Sequence, residues 1–353
     1  MKIAVLSAAN SSHTVKIVNS LAIRGHQITL YSLPEHRDED GEIDPRVSLV
    51  YLAHQSYSKD HKALRQMLKE SGAQVLYAHY ATGYGLLARK AKFQPTVLAV
   101  WGSDVYEFPY KSPIHRVLLK KNLAFPKTIF STSHAMARQT KQFTNKPMVI
   151  TPFGVDVEAF SPCDAPRNEE EIRFGYLKTI APVYGTKDLI SAFGLLKKRF
   201  PHLPLRLDLY GGGEQLDEMK QLATDLALTD TVIFHGRLPH EQAPAVLRQM
   251  DVLCVPSLRE SFGVSAVEAM ACGIPCIVSM ADGLQEVTVD GVTGLSVPCG
   301  DANALCDAME KLALDASLRH RMGKAGRQHV LEQYDWQKNV TIIERALEDA
   351  IAK

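Results

Sequence analysis

Residues 1–31 read MKIAVLSAANSSHTVKIVNSLAIRGHQITLY, and in them a short β-rich run gives way to a helical stretch and then to a second β-rich run. The segments are Ile3 to Ser7, Thr14 to Arg24 closed by Gly25, and Gln27 to Tyr31. Such alternation is the signature of a parallel βαβ unit. It continues through the apolar runs Val75 to Tyr77, Thr96 to Val100 and Thr128 to Phe130. Helices are predicted around Ser58 to Lys69, Thr82 to Lys92 and Ser133 to Phe143, with Gly72 ending the first of them.

The pattern breaks between Thr151 and Glu171, where TPFGVDVEAFSPCDAPRNEEE holds three prolines, a glycine and an acidic run without sustained periodicity. This stretch reads as a linker. Alternation then restarts with Ile172 to Leu177, Leu205 to Tyr210, Val232 to Phe234, Val252 to Val255 and Cys276 to Val278. The fold class is therefore α/β, with two Rossmann-like domains at 1–165 and 166–335, and a C-terminal helix at 336–353 expected to pack back on the first. A length of 353 residues is about twice that of a usual single domain and supports the division. In open parallel sheets ligands bind beyond the carboxyl ends of the strands, so two such domains facing across a cleft would put the reaction there.

Composition narrows the function classes. No apolar run approaches the ~20 residues that span a bilayer, and MKIAVLSAAN lacks the length and basic start of a signal peptide, so a cytoplasmic location is expected. The six cysteines show no paired CxxC spacing, and the thirteen histidines form neither HExxH nor a zinc-spaced cluster. Buried, reduced thiols are expected, with no protein-bound metal and no cofactor. Net charge is only +1, yet residues 1–165 hold 20 Lys and Arg against 13 Asp and Glu, leaving 20 against 26 for the rest. An N-terminal half near +7 points to an anionic neighbour such as a membrane surface or lipid phosphate. Nucleic acid is not expected as a partner, because no basic-aromatic module of a known kind is present.

The most specific chemical signal is PSLRESFGVSAVEAMACGIP, residues 256–275. It puts Glu260 in a strand-to-helix loop and Glu268 about two turns further on. Ser261, Gly263, Ser265 and Ala266 are small, which lets backbone N–H groups at the helix start approach a diphosphate. The two carboxylates then accept hydrogen bonds from hydroxyls. Read without further context, Glu260 is equally a helix cap and Glu268 equally a residue of a solvated face.

This stretch resembles the donor-site signature of the family-4 retaining glycosyltransferases of GT-B fold, which has two glutamates separated by seven residues before a small-residue stretch and Gly-x-Pro. The resemblance extends to Pro152–Asp156, similar to the family's Asn-Gly-Val-Asp junction, to Tyr210–Glu214 and to Val232–Leu238. It implies that the backbone around Arg237 and Leu238 lies near the nucleotide base, and that Gly211 to Gly213 allow close approach of the chain to the ligand. The glycine triplet alone is equally a tight turn. Donor contacts are thus expected from Ser261, Phe262, Gly263, Val264, Arg237, Leu238 and Gly211. Where the family offers Gly-Arg-Leu and later Lys-Gly, this chain has Tyr176 and Tyr184, leaving Lys178 as the nearest cation for the leaving diphosphate and Lys187 as the second.

The N-terminal half departs further. Ser7–Thr14 stands where many members have a Gly-Gly loop. Asn10 and Ser11 are candidates for acceptor or phosphate oxygen, and His13 either joins them or is an ordinary helix residue. His79 ends an apolar run and is expected to point to the cleft as a catalytic group, against a satisfied strand-end histidine. Val100–Asp104 resembles the family's His-Gly-x-Asp with Trp101 in place of the histidine; either sugar packing or core burial would use it. Asp104 either meets acceptor hydroxyls or caps a helix. Between Pro109 and Pro126, Ser112-Pro113 starts a helix. Its residues Ile114, Val117, Leu118 and Leu119 are expected to face the core, with Lys111, Arg116, Lys120 and Lys121 forming a basic flank that is a solvated face or a membrane contact.

Together the resemblance implies a retaining hexosyltransferase-type enzyme. It would move a sugar from a UDP- or GDP-sugar to a saccharide or lipid-linked hydroxyl acceptor in cell-surface polysaccharide or glycolipid assembly, in the cytoplasm or peripherally at the inner membrane face. Glu260 would position the sugar, Glu268 would hold the ribose, and Lys178 would stabilise the leaving group. Rival readings are a nucleotide-sugar epimerase of the same fold and a non-catalytic sugar-nucleotide-binding subunit.

Overall fold

The computed structural model describes residues 1–163 and 171–352, so the join expected near residue 165 lies outside the described residues. The chain divides into two compact units, Met1–Phe153 with Gln337–Lys353, and Gly154–Trp336.

The first unit is built on seven parallel strands: β1 (Lys2–Leu6), β2 (Gln27–Ser32), β3 (Ser48–Tyr51), β4 (Val75–His79), β5 (Thr96–Val100), β6 (Thr128–Ser131) and β7 (Met148–Ile150). Their spatial order is β3-β2-β1-β4-β5-β6-β7. The central strands β4 and β5 are buried along their whole length, which is why their sequences are continuous apolar runs rather than alternations. One layer of the core joins Leu6, Leu76, Leu98 and Ile129 of the sheet to Leu64, Leu87 and Leu119 of the covering helices.

The second unit has six parallel strands: β8 (Ile172–Leu177), β9 (Leu205–Tyr210), β10 (Val232–Gly236), β11 (Val252–Val255), β12 (Cys276–Ser279) and β13 (Gly294–Val297), in the order β10-β9-β8-β11-β12-β13. Its core gathers Phe174, Leu207, Cys254 and Ile277 from the strands with Phe193, Leu196 and Met309 from helices. In both sheets the winding direction reverses once, between β1 and β4 and between β8 and β11. Loops leaving those paired strands diverge to opposite faces, and each divergence opens a crevice at the carboxyl edge.

Sequence reading omitted β3, β7 and β13, all short and at a sheet edge: β3 and β7 are only partly buried, and in β13, though three of its four residues are buried, Gly294 and Ser296 interrupt the apolar run. The Ser112-Pro113 start is observed: Ser112 accepts the His115 N–H, and Pro113 opens the helix Pro113–Ala124. The expected core face of that helix is corrected. Leu119 and Leu123 are buried, whereas Ile114 is 78% exposed and Val117 51%. The first turns project beyond the core layer that the later residues fill.

The last helix, Trp336–Ala352, belongs largely to the first unit. Val340, Ile343, Leu347 and Ala350 are buried, and Glu344 accepts from Arg24 Nε at 3.0 Å and pairs with His26 Nε2 at 2.6 Å. Where the chain enters and leaves the second unit, its two segments are tied side by side: Val155 N–H donates to Tyr334 O at 2.7 Å, and Trp336 N–H to Val155 O at 2.9 Å.

Candidate active site

In the second unit the two loops at the reversal point bring two charged side chains together. The loop after β8 presents Lys178, and the loop after β11 presents Glu260. Their side chains form an ion pair across 82 residues of sequence, with the Lys178 ammonium also 4.6 Å from the centre of the Tyr184 ring. Both are largely enclosed, at 19% and 11% side-chain exposure, so each charge is neutralised chiefly by the other. Glu260 also accepts the Ser261 N–H at 3.2 Å.

Backbone geometry holds these loops together. A Cβ on Gly211, whose φ is +154°, would lie 1.9 Å from the Lys178 carbonyl oxygen, and one on Gly213, at +156°, would lie 2.2 Å from that of Ile180. Only glycine fits such an approach. Gly211 and Gly213 are thus explained by contact with the Lys178 loop, an alternative that sequence reading did not weigh. Arg237 is exposed and its side-chain stem lies against Gly212. Leu238, which follows it, is half-buried.

Helix Val264–Ala271 begins at Gly263, which has φ +103°. Its first N–H groups have no intrahelical acceptor, as at any helix start. Phe262 is buried edge-on against Tyr334, so only its backbone can meet a ligand. Glu268 is buried and accepts a hydrogen bond from His240 Nε2 at 2.8 Å. Tyr176, at the position of the family's arginine, is a core residue: its hydroxyl donates to Thr179 O at 2.8 Å, and burial pushes its pKa up. Lys187 is exposed. His240 and Tyr184 were missed as site residues, because nothing in Pro-His-Glu-Gln or Pro-Val-Tyr-Gly signals a role before the neighbours are known.

In the first unit the loops after β1, β4 and β5 converge. His79 is completely buried; Nδ1 pairs with Ser7 Oγ at 2.9 Å, Nε2 has no hydrogen-bond partner, and its ring centre is 4.3 Å from that of Trp101. Burial, helped by His13, pushes its pKa down to about 3. The ring therefore stays uncharged and cannot itself touch a ligand in this arrangement. Asp104, 1% exposed, is likewise turned inward: one oxygen accepts from Ala81 N–H at 2.9 Å, the other from Gly102 N–H at 2.8 Å and Trp101 N–H at 3.2 Å. Asp104 fastens the loops after β4 and β5 to each other, and burial raises its pKa despite those bonds.

Trp101 is mostly buried, and His13 stacks on Phe153 at 3.9 Å with its edge toward Trp101. Asn10 is exposed and Ser11 half-buried at the start of helix Ser12–Ile23. Beside them lies a cavity of about 280 Å³ lined by Ser7, Ser11, His36, Tyr57, Tyr80, Tyr84 and Trp101 among others. His36, Tyr57 and Tyr84 were missed, since they come from segments of the chain that carry no motif.

Two family models match the chain: "Glycosyl transferases group 1" over residues 160–329 and "Glycosyl transferase 4-like" over residues 2–133. A D-inositol 3-phosphate glycosyltransferase of Kribbella flavida is 30% identical over 290 residues, covering 74% of this chain and 68% of the relative. The chain spans about half the length of several other curated relatives it matches. Among solved structures, a sucrose-phosphate synthase from Thermosynechococcus elongatus superposes with a TM-score of 0.85 at 21% identity, over 100% of this chain and 99% of that one. The Anabaena protein HepE, crystallised with UDP and glucose, gives 0.80 at 17% identity over 99% and 100%. These likenesses show the GT-B fold.

Proposed function

Since the chain belongs to the group 1 glycosyltransferases, we propose that it moves a sugar from a UDP- or GDP-sugar to a hydroxyl acceptor with retention of anomeric configuration. The observation that carries the reading is the Lys178–Glu260 pair set beside the start of helix Val264–Ala271, with Glu268 further along that helix. A diphosphate seated at the helix start gains from the helix dipole and its N–H groups. Lys178, drawn from Glu260 toward the phosphate, neutralises charge as the leaving group departs. Glu260, released, accepts hydroxyls of the donor sugar, and Glu268, oriented by His240, accepts those of the ribose. Gly211, Arg237 and Leu238 line the nucleotide side.

On the acceptor side the reading uses Asn10, Ser11, His13 and Trp101 as contacts, with His79 and Asp104 positioning them from within. Retention follows from the family resemblance, with the leaving diphosphate assisting deprotonation of the acceptor. No helix among the described residues is long and apolar enough to cross a membrane. Exposed Ile114 and Val117, flanked by Lys111, Arg116, Lys120 and Lys121, favour reversible docking on an anionic membrane face, which suits assembly of a glycolipid or cell-surface polysaccharide. The test is nucleotide release from UDP- and GDP-sugars with and without saccharide acceptors. Release that requires an acceptor supports transfer, donor isomerisation without one indicates an epimerase, and binding without turnover indicates a non-catalytic subunit.

A further inference from the structure

The cavity of the first unit carries a statement about what the acceptor is. Its lining holds the rings of Tyr57, Tyr80, Tyr84, Trp101 and His36 together with the hydroxyls of Ser7 and Ser11, and no lysine, arginine, aspartate or glutamate. A volume near 280 Å³ lies at the small end of the ~300–1,000 Å³ of ordinary ligand pockets, room for one ring rather than a chain.

Its walls are built, not incidental. Leu33 N–H donates to the Tyr84 hydroxyl at 3.2 Å, and that hydroxyl lies 2.7 Å from His36 Nδ1, which fixes both rings. Tyr57 meets Tyr84 edge-on at 5.2 Å and lies so close over Gly83 that a Cβ there would come within 2.5 Å of its ring carbons. Tyr80 is held at φ +69°, a conformation that L side chains rarely adopt, at the end of β4.

A negative charge borders the lining. Glu35 Oε1 is 3.9 Å from His36 Nε2, and after burial its charge is a further cause of the raised pKa of both Tyr57 and Tyr84. The basic excess of this half of the chain is spent elsewhere, on surfaces such as the Pro113–Ala124 helix, and none of it reaches the cavity lining. An anionic group entering here would lose hydration without gaining a cation, and would approach Glu35.

We infer that this aromatic cavity is an acceptor subsite for an uncharged sugar ring, which packs its C–H face on the tyrosines and Trp101, and that it discriminates against phosphorylated sugars and polyols. The 30%-identical relative is named for a phosphorylated polyol, so the subsite separates this chain from it. The inference rests on the glycosyltransferase reading for the word acceptor.

Saturation-transfer NMR on the unmodified protein, with methyl hexosides, the matching hexose 6-phosphates and inositol 1-phosphate as probes, tests it. Saturable binding of at least one methyl hexoside, with its phosphorylated counterpart at least about tenfold weaker, is the expected result. Tyr57→Ala should weaken methyl hexoside binding, while Tyr57→Phe, which keeps the ring, should not. Glu35→Gln, a change at an exposed side chain, should narrow the gap between neutral and phosphorylated probes. Equal or tighter binding of the phosphorylated probes, no binding of any hexoside, or hexoside binding indifferent to Tyr57→Ala would overturn the inference. Calorimetry with UDP- and GDP-sugars on the same samples reads the donor side separately: donor binding without hexoside binding removes the subsite and leaves the proposed function, and hexoside binding without donor binding does the reverse.

Discussion

Replacing Lys178 by alanine removes a cation that pairs with Glu260 and that the proposed function also gives to the leaving diphosphate, and the two tasks separate in a double-mutant cycle. Without donor the ammonium neutralises Glu260, and with both side chains less than one-fifth exposed the loss leaves a poorly solvated carboxylate. A fully buried pair broken on one side costs ~3–5 kcal/mol, while an exposed one costs under ~1. For this partly enclosed pair about 2 kcal/mol is expected. Glu260→Gln in the same chain removes the stranded charge, so Lys178→Ala with Glu260→Gln should be more stable than Lys178→Ala alone by roughly 1 kcal/mol. Activity should not recover with stability. Lys178→Ala should lower kcat on the order of 10²-fold, the scale of one lost transition-state charge contact, and the double variant should be no better. Stability is read by urea unfolding in a Trp101→Phe background, where Trp336 of the second unit is the one remaining tryptophan. Initial rates are taken without that background change. A crippled Lys187→Ala beside a near-normal Lys178→Ala would refute the assignment, as would identical stability of the single and double variants for the pairing argument.

The two glutamates should fail differently. Glu268→Gln weakens donor and free nucleoside diphosphate alike by ~1–3 kcal/mol, whereas Glu260→Gln spares the free nucleotide and lowers kcat; equal losses in calorimetry would contradict this. His240→Ala should raise the Kd for free nucleotide about threefold to tenfold with little change in kcat, and an unchanged Kd would remove His240 as the group orienting Glu268. The depressed pKa of His79 makes the first unit acid-sensitive: the unfolded state takes up a proton near pH 6.5 and the folded one only near 3, so stability is full above 6.5 and falls through that window. About 2 kcal/mol should be lost between pH 7 and 5 beyond what a His79→Gln variant loses, followed by urea unfolding with Trp101 as the probe; parallel pH profiles would count against it. On anionic liposomes, flotation should weaken with Ile114→Asp plus Val117→Asp and with Lys120→Glu plus Lys121→Glu, and equal binding to neutral vesicles would exclude electrostatic docking.

How much of this is legible in the sequence depends on whether a feature is local. The interior parallel strands announce themselves because burial on both faces demands unbroken apolar runs, as in Thr96–Val100, whereas β3 and β7 are only partly buried and carry none. Glu260, Glu268 and Lys178 stand out because the local motif that holds them resembles the family's donor-site signature. That Lys178 grips Glu260, or that His240 reaches Glu268 across 28 residues, depends on loop closure that no local pattern encodes. A strand-end position tells which edge of the sheet a residue occupies and not where its side chain turns: His79 and Asp104 sit at the functional edge yet face inward. Ile114 and Val117 show the converse, since helical spacing gives an apolar stripe without saying whether the core extends far enough to cover it.

The return of the last helix to the first unit sets the order in which this protein can be finished during its synthesis. A ribosome that has released residues 1–153 has supplied seven strands but not the surface formed by Val340, Ile343, Leu347 and Ala350, nor the carboxylate that Arg24 and His26 hold. The second unit, contiguous from Gly154 to Trp336, emerges whole before that surface arrives. The half of the chain made first is thus completed last, and a nascent chain stalled anywhere before residue 337 leaves the first unit without the buried residues that the last helix brings to it, a site for chaperone capture that closes only when that helix docks.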